Sequence, residues 1–527
     1  MSDREVKKSR QEKSRTQTQS IVLLGSVFVI ANCGLVYELL AGTISSYLVG
    51  AAILQFSLVV GVFMAAMGIG AFLSQWVKED LLDVFVRVEV AVGFLGGFSA
   101  FALFFAFVHL AYYTAVLYAV CGLIGIFIGM EIPLVIRLLK DELALEFNVS
   151  AVLGLDYLGA LIASLVFPLV LLPYLGQLAT AFFTGLLNVV VAIVCCIILR
   201  DHLKKPRTTI ATAVLAALLL AGGLAGSHRF VHWFESSLYQ NQIIYATDTK
   251  YQRMVLTRWR DDLRLYLNGN LQFSSIDEYR YHDSLVHSVM GMPGKRERVL
   301  VLGGGDGMAV REVLKYADVK QVDLVDLDPE MTRLFSEQPM LRALNEDALH
   351  ADRVSIYNMD AQIFLEEHAA DAPYDRIIID FPDPNDTSLS KLYSRSFYRL
   401  LSRHLSGSGY AITQATAPYL ARRSFWCIYH TIRSVEHPAH LGETLDARAM
   451  HTYVPSFGEW GFVLFSPRTI DLSQWRLTEK TRYLTQENFE SHFLFSEDTK
   501  EIPTEINRLD DQVLVRYYQE DWKSYFR

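Results

Sequence analysis

Between Ile21 and Ser227 the chain is a series of apolar runs, each long enough to cross the hydrocarbon core of a bilayer. Seven are distinguishable: Ile21 to Leu48, Ala51 to Val77, Val84 to His109, Tyr113 to Ile136, Val149 to Leu172, Gln177 to Leu199 and Thr208 to Gly226. In lipid every backbone N–H and C=O must be satisfied within the segment, so such runs fold as helices. Buried helices of a soluble protein are the alternative, but several runs exceed about 18 apolar residues. The first run is too long for a cleavable signal, and a second follows at once. From Arg229 onward the chain carries charge like an ordinary globular enzyme, which puts the boundary near Ser227 and confines the excess behind a mean hydropathy of +0.22 to one half.

The distribution of Lys and Arg orients the spans. Arg4, Lys7, Lys8, Arg10, Lys13 and Arg15 precede the first. Lys78, Arg87, Arg137, Lys140, Arg200, Lys204, Lys205 and Arg207 fall in connections on the same side, and the opposite connections near Gly50, Leu110 and Tyr174 hold none. This predicts a multi-pass protein of the cell (inner) membrane with a cytoplasmic N-terminus. Seven spans then put the C-terminal half outside, whereas substrate supply argues for the cytoplasm. Glu38, Glu89, Glu131 and Asp156 lie in or at the ends of the spans, where charge is costly. They form either a cation route or cation-docking face, or interfacial groups that pair with Arg87 or Arg137 or cap helices. Gly34-Leu35-Val36-Tyr37 and Gly154-Leu155-Asp156-Tyr157 hint at an internal repeat.

Of five cysteines only Cys427 lies outside the apolar half, which excludes a disulfide within the globular part, and no Cys/His spacing suits a metal. A net charge of −9 offers no basic face to nucleic acid.

The globular half opens with strand-like runs, Arg253 to Trp259 and Leu263 to Leu267, separated by Asp261-Asp262 and followed by Asn268-Gly269. Strands and helices then alternate. Arg298 to Leu302, Gln321 to Val325, Val354 to Tyr357 and Arg376 to Ile379 are strands; Met308 to Tyr316, Pro329 to Gln338 and Ala361 to Glu367 are helices, implying a parallel doubly wound sheet. The run Gly303-Gly304-Gly305-Asp306-Gly307 after the first of these strands, with Asp326 ending the next, is the layout of a nucleoside site, the glycines admitting a ligand to backbone N–H groups and the acid accepting ribose hydroxyls. Asp306 inside the turn repels a phosphate or carboxylate, so the ligand's tail is read as cationic. Asp306, Asp326, Asp360, Asp380 and Asp383 each follow a predicted strand. A single acid there is ordinarily a helix cap; five in succession are read as a site.

Tyr251-Gln252, Leu267 to Gln272, Asp277 to His282, Gly303 to Gly307, Arg311-Glu312 and Asp380-Phe381-Pro382-Asp383-Pro384 together resemble the polyamine aminopropyltransferase (spermidine synthase) family. Tyr37-Glu38-Leu39-Leu40, Met130-Glu131-Ile132-Pro133 and Leu155 to Gly159 resemble its membrane-spanning bacterial branch. The fold expected is an α-helical transmembrane bundle of about seven spans followed by an α/β Rossmann-like, class I methyltransferase-like domain. The parts are a basic tail (1–20), membrane domain (21–227), β-rich entry subdomain (228–295) and Rossmann-like domain (296–527).

The resemblance implies a transferase that moves the aminopropyl group of decarboxylated S-adenosylmethionine, a co-substrate and not a resident cofactor, to a di- or polyamine, releasing methylthioadenosine. It also admits a homodimer. By position, Gln252 and Asp306 hold the aminopropyl end within the turn of Gly303 and Gly305, Asp326 the ribose, and Asp360 with Ala361 the adenine. Gln272, Tyr281 and His282 line the junction with the acceptor, and Tyr453 closes the acceptor side. Asp380 accepts the acceptor's proton, with Asp383 and Tyr281 holding the ammonium in line. Asp326 stands where the family commonly has Glu, Asn268 where it often has Asp, Asp283 where it often has Glu, and Phe381-Pro382 where small hydroxyl residues are favoured. The last departure borders the acceptor and leaves putrescine unassured as substrate. An S-adenosylmethionine-dependent N-methyltransferase of amines, or a polyamine sensor or transporter with a non-catalytic domain, are the alternatives.

Overall fold

The computed structural model describes residues 3–49, 52–110, 112–140, 145–239, 241–368, 372–437 and 442–525, so the connection expected at Gly50 lies outside the described residues. The chain divides into two compact units, Met1–Gln240 and Asn241–Arg527.

The first unit is all helix: α1 (Asp3–Val49), α2 (Ala52–Leu73), α3 (Leu81–His109), α4 (Tyr113–Leu138), α5 (Leu145–Val166), α6 (Leu172–Ile198) and α7 (Pro206–Leu238). Six helical stretches are long and apolar enough to cross a membrane, against seven expected, because the fifth and sixth spans run on as one stretch, Glu146–Ile198. That stretch is broken at Gly176, whose φ of 73° and ψ of 179° no helix contains. The basic tail is continuous with α1, and α7 runs beyond the boundary expected at Ser227. Its extension is held by aromatic packing: Phe230 and Phe234 meet Phe101, and Trp233 stacks near His109. Helices α3 and α6 pack through small residues; a Cβ on Gly185 would stand 2.4 Å from the Gly93 carbonyl oxygen and 2.7 Å from the Gly97 Cα.

The second unit opens with a four-stranded antiparallel meander, β1 (Gln242–Asp248), β2 (Arg253–Trp259), β3 (Asp262–Leu267) and β4 (Asn270–Ser274). Asn268 and Gly269 both adopt positive φ, 49° and 81°, as the tight β3–β4 turn demands. A short helix, α8 (Glu278–His282), leads into a seven-stranded sheet of order β10-β11-β9-β8-β5-β6-β7. Its strands are β5 (Arg298–Gly303), β6 (Gln321–Asp326), β7 (Val354–Asn358), β8 (Tyr374–Asp380), β9 (Leu405–Gln414), β10 (Asp446–Val454) and β11 (Gly458–Ser466). Strands β5 to β9 run parallel, but β10 and β11 form an antiparallel pair that joins β9 at the edge, so the sheet is mixed where a parallel one was expected. A hairpin reverses direction over few residues, whereas another parallel strand needs a crossover.

The longer helices of the unit are α9 (Met308–Leu314), α10 (Pro329–Glu337), α11 (Arg395–His404), α12 (Arg422–Arg433) and α13 (Val513–Tyr525). Strand β5 shows why the sheet is buried on both faces. Val299 and Val301 enter one apolar cluster and Leu300 and Leu302 the other, all four fully buried. This layering leaves the carboxyl ends of β8, β5 and β6 side by side as the place for a ligand.

Candidate active site

Asp380 ends β8 and pairs in register with Gly303 at the end of β5. A Cβ on Gly303, whose φ is 78°, would stand 2.2 Å from the Asp380 carbonyl oxygen, and one on Gly304 would stand 3.1 Å from the Asp380 carboxylate. The turn lies flush on the acid, and only glycine permits this. On the other flank a Cβ on Gly305 would stand 2.6 Å from Asp326. Asp326 instead accepts the Gly305 N–H at 2.9 Å through Oδ2 and the Asp328 N–H at 2.9 Å through Oδ1. Asp306 accepts the Met308 N–H at 2.9 Å at the start of α9. Three expected acids, Asp306, Asp326 and Asp380, thus close on one glycine turn.

Tyr281, carried by α8, donates its hydroxyl to Asp380 Oδ1 at 2.5 Å. Its ring is wedged against His282 and Phe462, with centroids 5.1 and 5.2 Å away. His282 is buried, its Nδ1 2.7 Å from Glu278 Oε2. Glu278 is in turn gripped by Arg311, and Arg311 by Glu312. Burial opposes a charge on His282, but Glu278 outweighs it and lifts the imidazole to about 9. Asp306 and Asp380 both act electrostatically on His282 in the same direction as Glu278. Burial likewise works to raise Glu278, yet His282 and Arg311 bring it down to about 2.

Asp383 takes the Tyr518 hydroxyl at 2.8 Å and the Thr416 hydroxyl at 3.3 Å on Oδ2, while its buried Oδ1 has no hydrogen-bond partner. Gln252 donates to Asp328 Oδ2 at 3.0 Å, beside Asp326. Asp360 caps the turn that starts at Ala361 through the Gln362 N–H and pairs with Lys391 at 2.7 Å. Burial works against its charge, but Lys391 and that N–H hold the carboxyl below its usual value. Gln272 donates locally to the Asn270 carbonyl at 3.2 Å. The Tyr453 ring is 58% exposed while its carbonyl accepts from Arg280. Among the described residues neither hydrogen-bonds Asp380 or Asp383. Phe381, expected to border the acceptor, is turned into the core against Phe397, so the departure at that position acts through packing.

Burial raises Asp326, Asp380 and Asp383 each to about 6, against partial relief from N–H donors at Asp326, from His282 at Asp380 and from Tyr518 at Asp383; Asp306 is raised in the same way. A cluster of partly buried carboxylates, each costly to ionise alone, favours a positive neighbour.

Residues 278–498 match the family described as spermine/spermidine synthase domain. The chain is 45% identical to a polyamine aminopropyltransferase of Leptospira interrogans over 497 residues, 94% of this chain and 98% of that one. It is 47% identical over 518 residues to polyamine aminopropyltransferase 2 of Ralstonia nicotianae, covering 96% and 99%. The chain belongs to the polyamine aminopropyltransferase family. Among solved structures, spermidine synthase from Thermotoga maritima is similar at 23% identity and a TM-score of 0.43, over 48% of this chain and 85% of that one. As a polyamine aminopropyltransferase the chain is an enzyme, and the acidic crevice is its candidate active site.

The motif pattern did not single out Tyr518, Thr416, Glu278 or Asp328 for roles in this aminopropyltransferase site. Glu278 lay within the Asp277 to His282 motif without a role of its own, and Asp328 left a local signal, the Asp-Pro step at the start of α10, where its side chain accepts the Glu330 N–H. Raising a carboxyl from 3.8 to about 6 weakens folding as pH rises through about 6 and has no effect below 3.8, where both states are protonated. Asp383→Asn is therefore expected to be more stable than wild type by on the order of 3 kcal/mol at pH 8 and by almost nothing at pH 3.5. Thermal unfolding of the detergent-solubilised proteins across this range checks the sign; a difference that shrinks as pH rises contradicts it.

Proposed function

We propose that this enzyme transfers the aminopropyl group of decarboxylated S-adenosylmethionine to a di- or polyamine and releases methylthioadenosine. The observation that carries this reading is the partly buried Asp380 carboxylate, oriented by Tyr281 at 2.5 Å and adjoining the glycine turn that bears Asp306. The donor lacks a carboxylate and keeps an ammonium, which Asp306 favours. Asp326 retains lone pairs for ribose hydroxyls beyond the two N–H bonds it accepts. Asp360 and Ala361, past the next strand, flank the adenine side.

The acceptor arrives as an ammonium and is inert until deprotonated. Asp380 takes one proton, directly or through water; the freed lone pair then forms the N–C bond. The C–S bond breaks with its electron pair passing to the sulfonium sulfur, leaving a neutral thioether that needs no acid. The new secondary amine keeps the positive charge, opposite Asp383. Tyr281 holds the base in one orientation, and alignment contributes several kcal/mol, on the order of that seen in intramolecular reactions. Purified protein incubated with decarboxylated or intact S-adenosylmethionine and a panel of diamines, followed by mass spectrometry, tests this: methylthioadenosine is expected only with the decarboxylated donor. S-adenosylhomocysteine, or no product, contradicts the reading.

The enzyme is also read as membrane-anchored, with its C-terminal unit beyond the end of α7. Lys204 pairs with Asp80, and Arg137 donates to the carbonyls of Ser74 and Val77, so the basic connections share one end of the bundle. Trp233 on α7 meets His109 at the end of α3, far from that cluster. These contacts, with the break at Gly176, support seven crossings that leave the start of α1 and the end of α7 on opposite sides, the basic side being cytoplasmic. A C-terminal alkaline phosphatase fusion is expected to be active and a green fluorescent protein fusion dark; the reverse pattern overturns this topology.

A further inference from the structure

Four helices of the first unit, α1, α3, α4 and α6, converge on a polar cluster in their apolar core. Glu89 on α3 is 0% exposed and Glu131 on α4 is 6% exposed, and their carboxyls lie against each other. Asn188 on α6, also 0% exposed, donates its amide to the Glu89 carbonyl at 2.9 Å and to Glu89 Oε2 at 3.2 Å. Tyr37 on α1, 1% exposed, lies near enough to both carboxyls for each to act electrostatically on its phenol. A Cβ on Gly96 would stand 2.4 Å from that ring. Glu89, Gly93 and Gly96 share one face of α3, so the glycine face makes room for the tyrosine beside the acid.

The cluster is short of donors. Glu89 Oε1, Glu131 Oε1, Asn188 Oδ1 and the Tyr37 hydroxyl are buried without hydrogen-bond partners, and among the described residues no Lys or Arg pairs with either carboxyl. Buried polar atoms left unmatched are costly, and four acceptor-capable oxygens gathered from four helices ask for a cation rich in donors. A primary ammonium presents three N–H groups from one centre. The neutral neighbour Cys33 directs its thiol to the Thr184 carbonyl. Half-buried Asp156 acts electrostatically on Glu131 and extends the acidic track.

We propose that the membrane unit holds a binding site for the primary ammonium group of a di- or polyamine, formed by Glu89, Glu131, Asn188 and Tyr37 and separate from the aminopropyl-transfer crevice. The choice of an amine over an inorganic cation rests on the proposed reaction, whose acceptor and product are such amines. Full-length protein in lipid nanodiscs is titrated with radiolabelled putrescine, with methylthioadenosine formation measured in parallel. Glu89→Gln/Glu131→Gln is expected to bind one equivalent per chain fewer than wild type while forming methylthioadenosine within about twofold of it. Tyr37→Phe, a change of one oxygen, is expected to weaken binding at this site by about 5- to 10-fold and serves if the double variant does not fold. Unchanged stoichiometry and affinity in the variants overturn the proposal, as does a variant-sensitive equivalent seen with radioactive sodium but not with putrescine. Failure of the wild type to form methylthioadenosine counts against the transfer reaction alone, since the binding difference is read without turnover.

Discussion

Asp380→Asn is expected to lower kcat for methylthioadenosine formation by about 10³-fold while changing decarboxylated donor binding by less than about tenfold. The asparagine keeps the shape that lies on Gly303 and Gly304 and still accepts the Tyr281 hydroxyl, but it cannot take a proton from an ammonium. The separation of kcat from binding is the diagnostic part. If Asp380 merely held the donor's positive tail, the loss would appear in KM. The pH profile adds a second readout. Burial raises the carboxyl to about 6 in the free enzyme, and only the ionised form is a base, so kcat/KM falls as pH drops through about 6. Tyr281→Phe removes the hydroxyl that favours the ionised form, so this acid limb is expected to move to higher pH. A limb that stays in place would show that the 2.5 Å contact does not act on the base.

Much of this geometry was legible in the residues because local and global demands coincide there. The alternation of Val299, Leu300, Val301 and Leu302 into two cores requires a strand buried on both faces, and a continuous apolar run is how such a strand reads. Asn268-Gly269 called for a hairpin turn and made one. The five acids were visible as a set at predicted strand ends, with Asp306 alone inside the glycine run; that Asp326 and Asp380 close on the same turn follows from the sheet register. What could not be read depends on long-range contact. Tyr518 reaches Asp383 from a helix 135 residues away, and no periodicity marks one tyrosine of that helix as different from its neighbours. The continuation of α7 past Ser227 was hidden because the apolar run ends there, while the helix is sustained by Phe230, Trp233 and Phe234 against α3. The antiparallel edge pair was missed for a similar reason: its pairing with β9 is fixed by tertiary register. In the membrane unit the acids were visible, but their division into the fully buried pair Glu89 and Glu131 and the half-buried Glu38 and Asp156 required the helix packing.

The other large effect concerns the choice of donor. Intact S-adenosylmethionine differs from its decarboxylated form by one carboxylate on the carbon that bears the ammonium, and the proposed arrangement sets that carbon against Asp306. Asp306 is partly buried, bonded to the Met308 N–H on one oxygen, and lies close enough to Asp380 to raise that group's proton affinity. Opposed like charges at a partly desolvated site cost several kcal/mol, so kcat/KM is expected to favour the decarboxylated donor by at least about 10³-fold. Asp306→Asn removes one of the two opposed charges and supplies an N–H donor at nearly unchanged volume. It is expected to weaken the decarboxylated donor by about 10²-fold and to shrink the discrimination to about tenfold, read as competition between the two donors in one reaction. His282 sharpens the inference, because burial raises Asp306 and the His282 imidazolium works against that rise in favour of the carboxylate. His282→Gln should therefore leave Asp306 more readily protonated and relax discrimination most at low pH, where the carboxyl is neutral. Discrimination that survives Asp306→Asn intact would mean that shape, and not charge, excludes the carboxylate, and the electrostatic account of the crevice would fall with it.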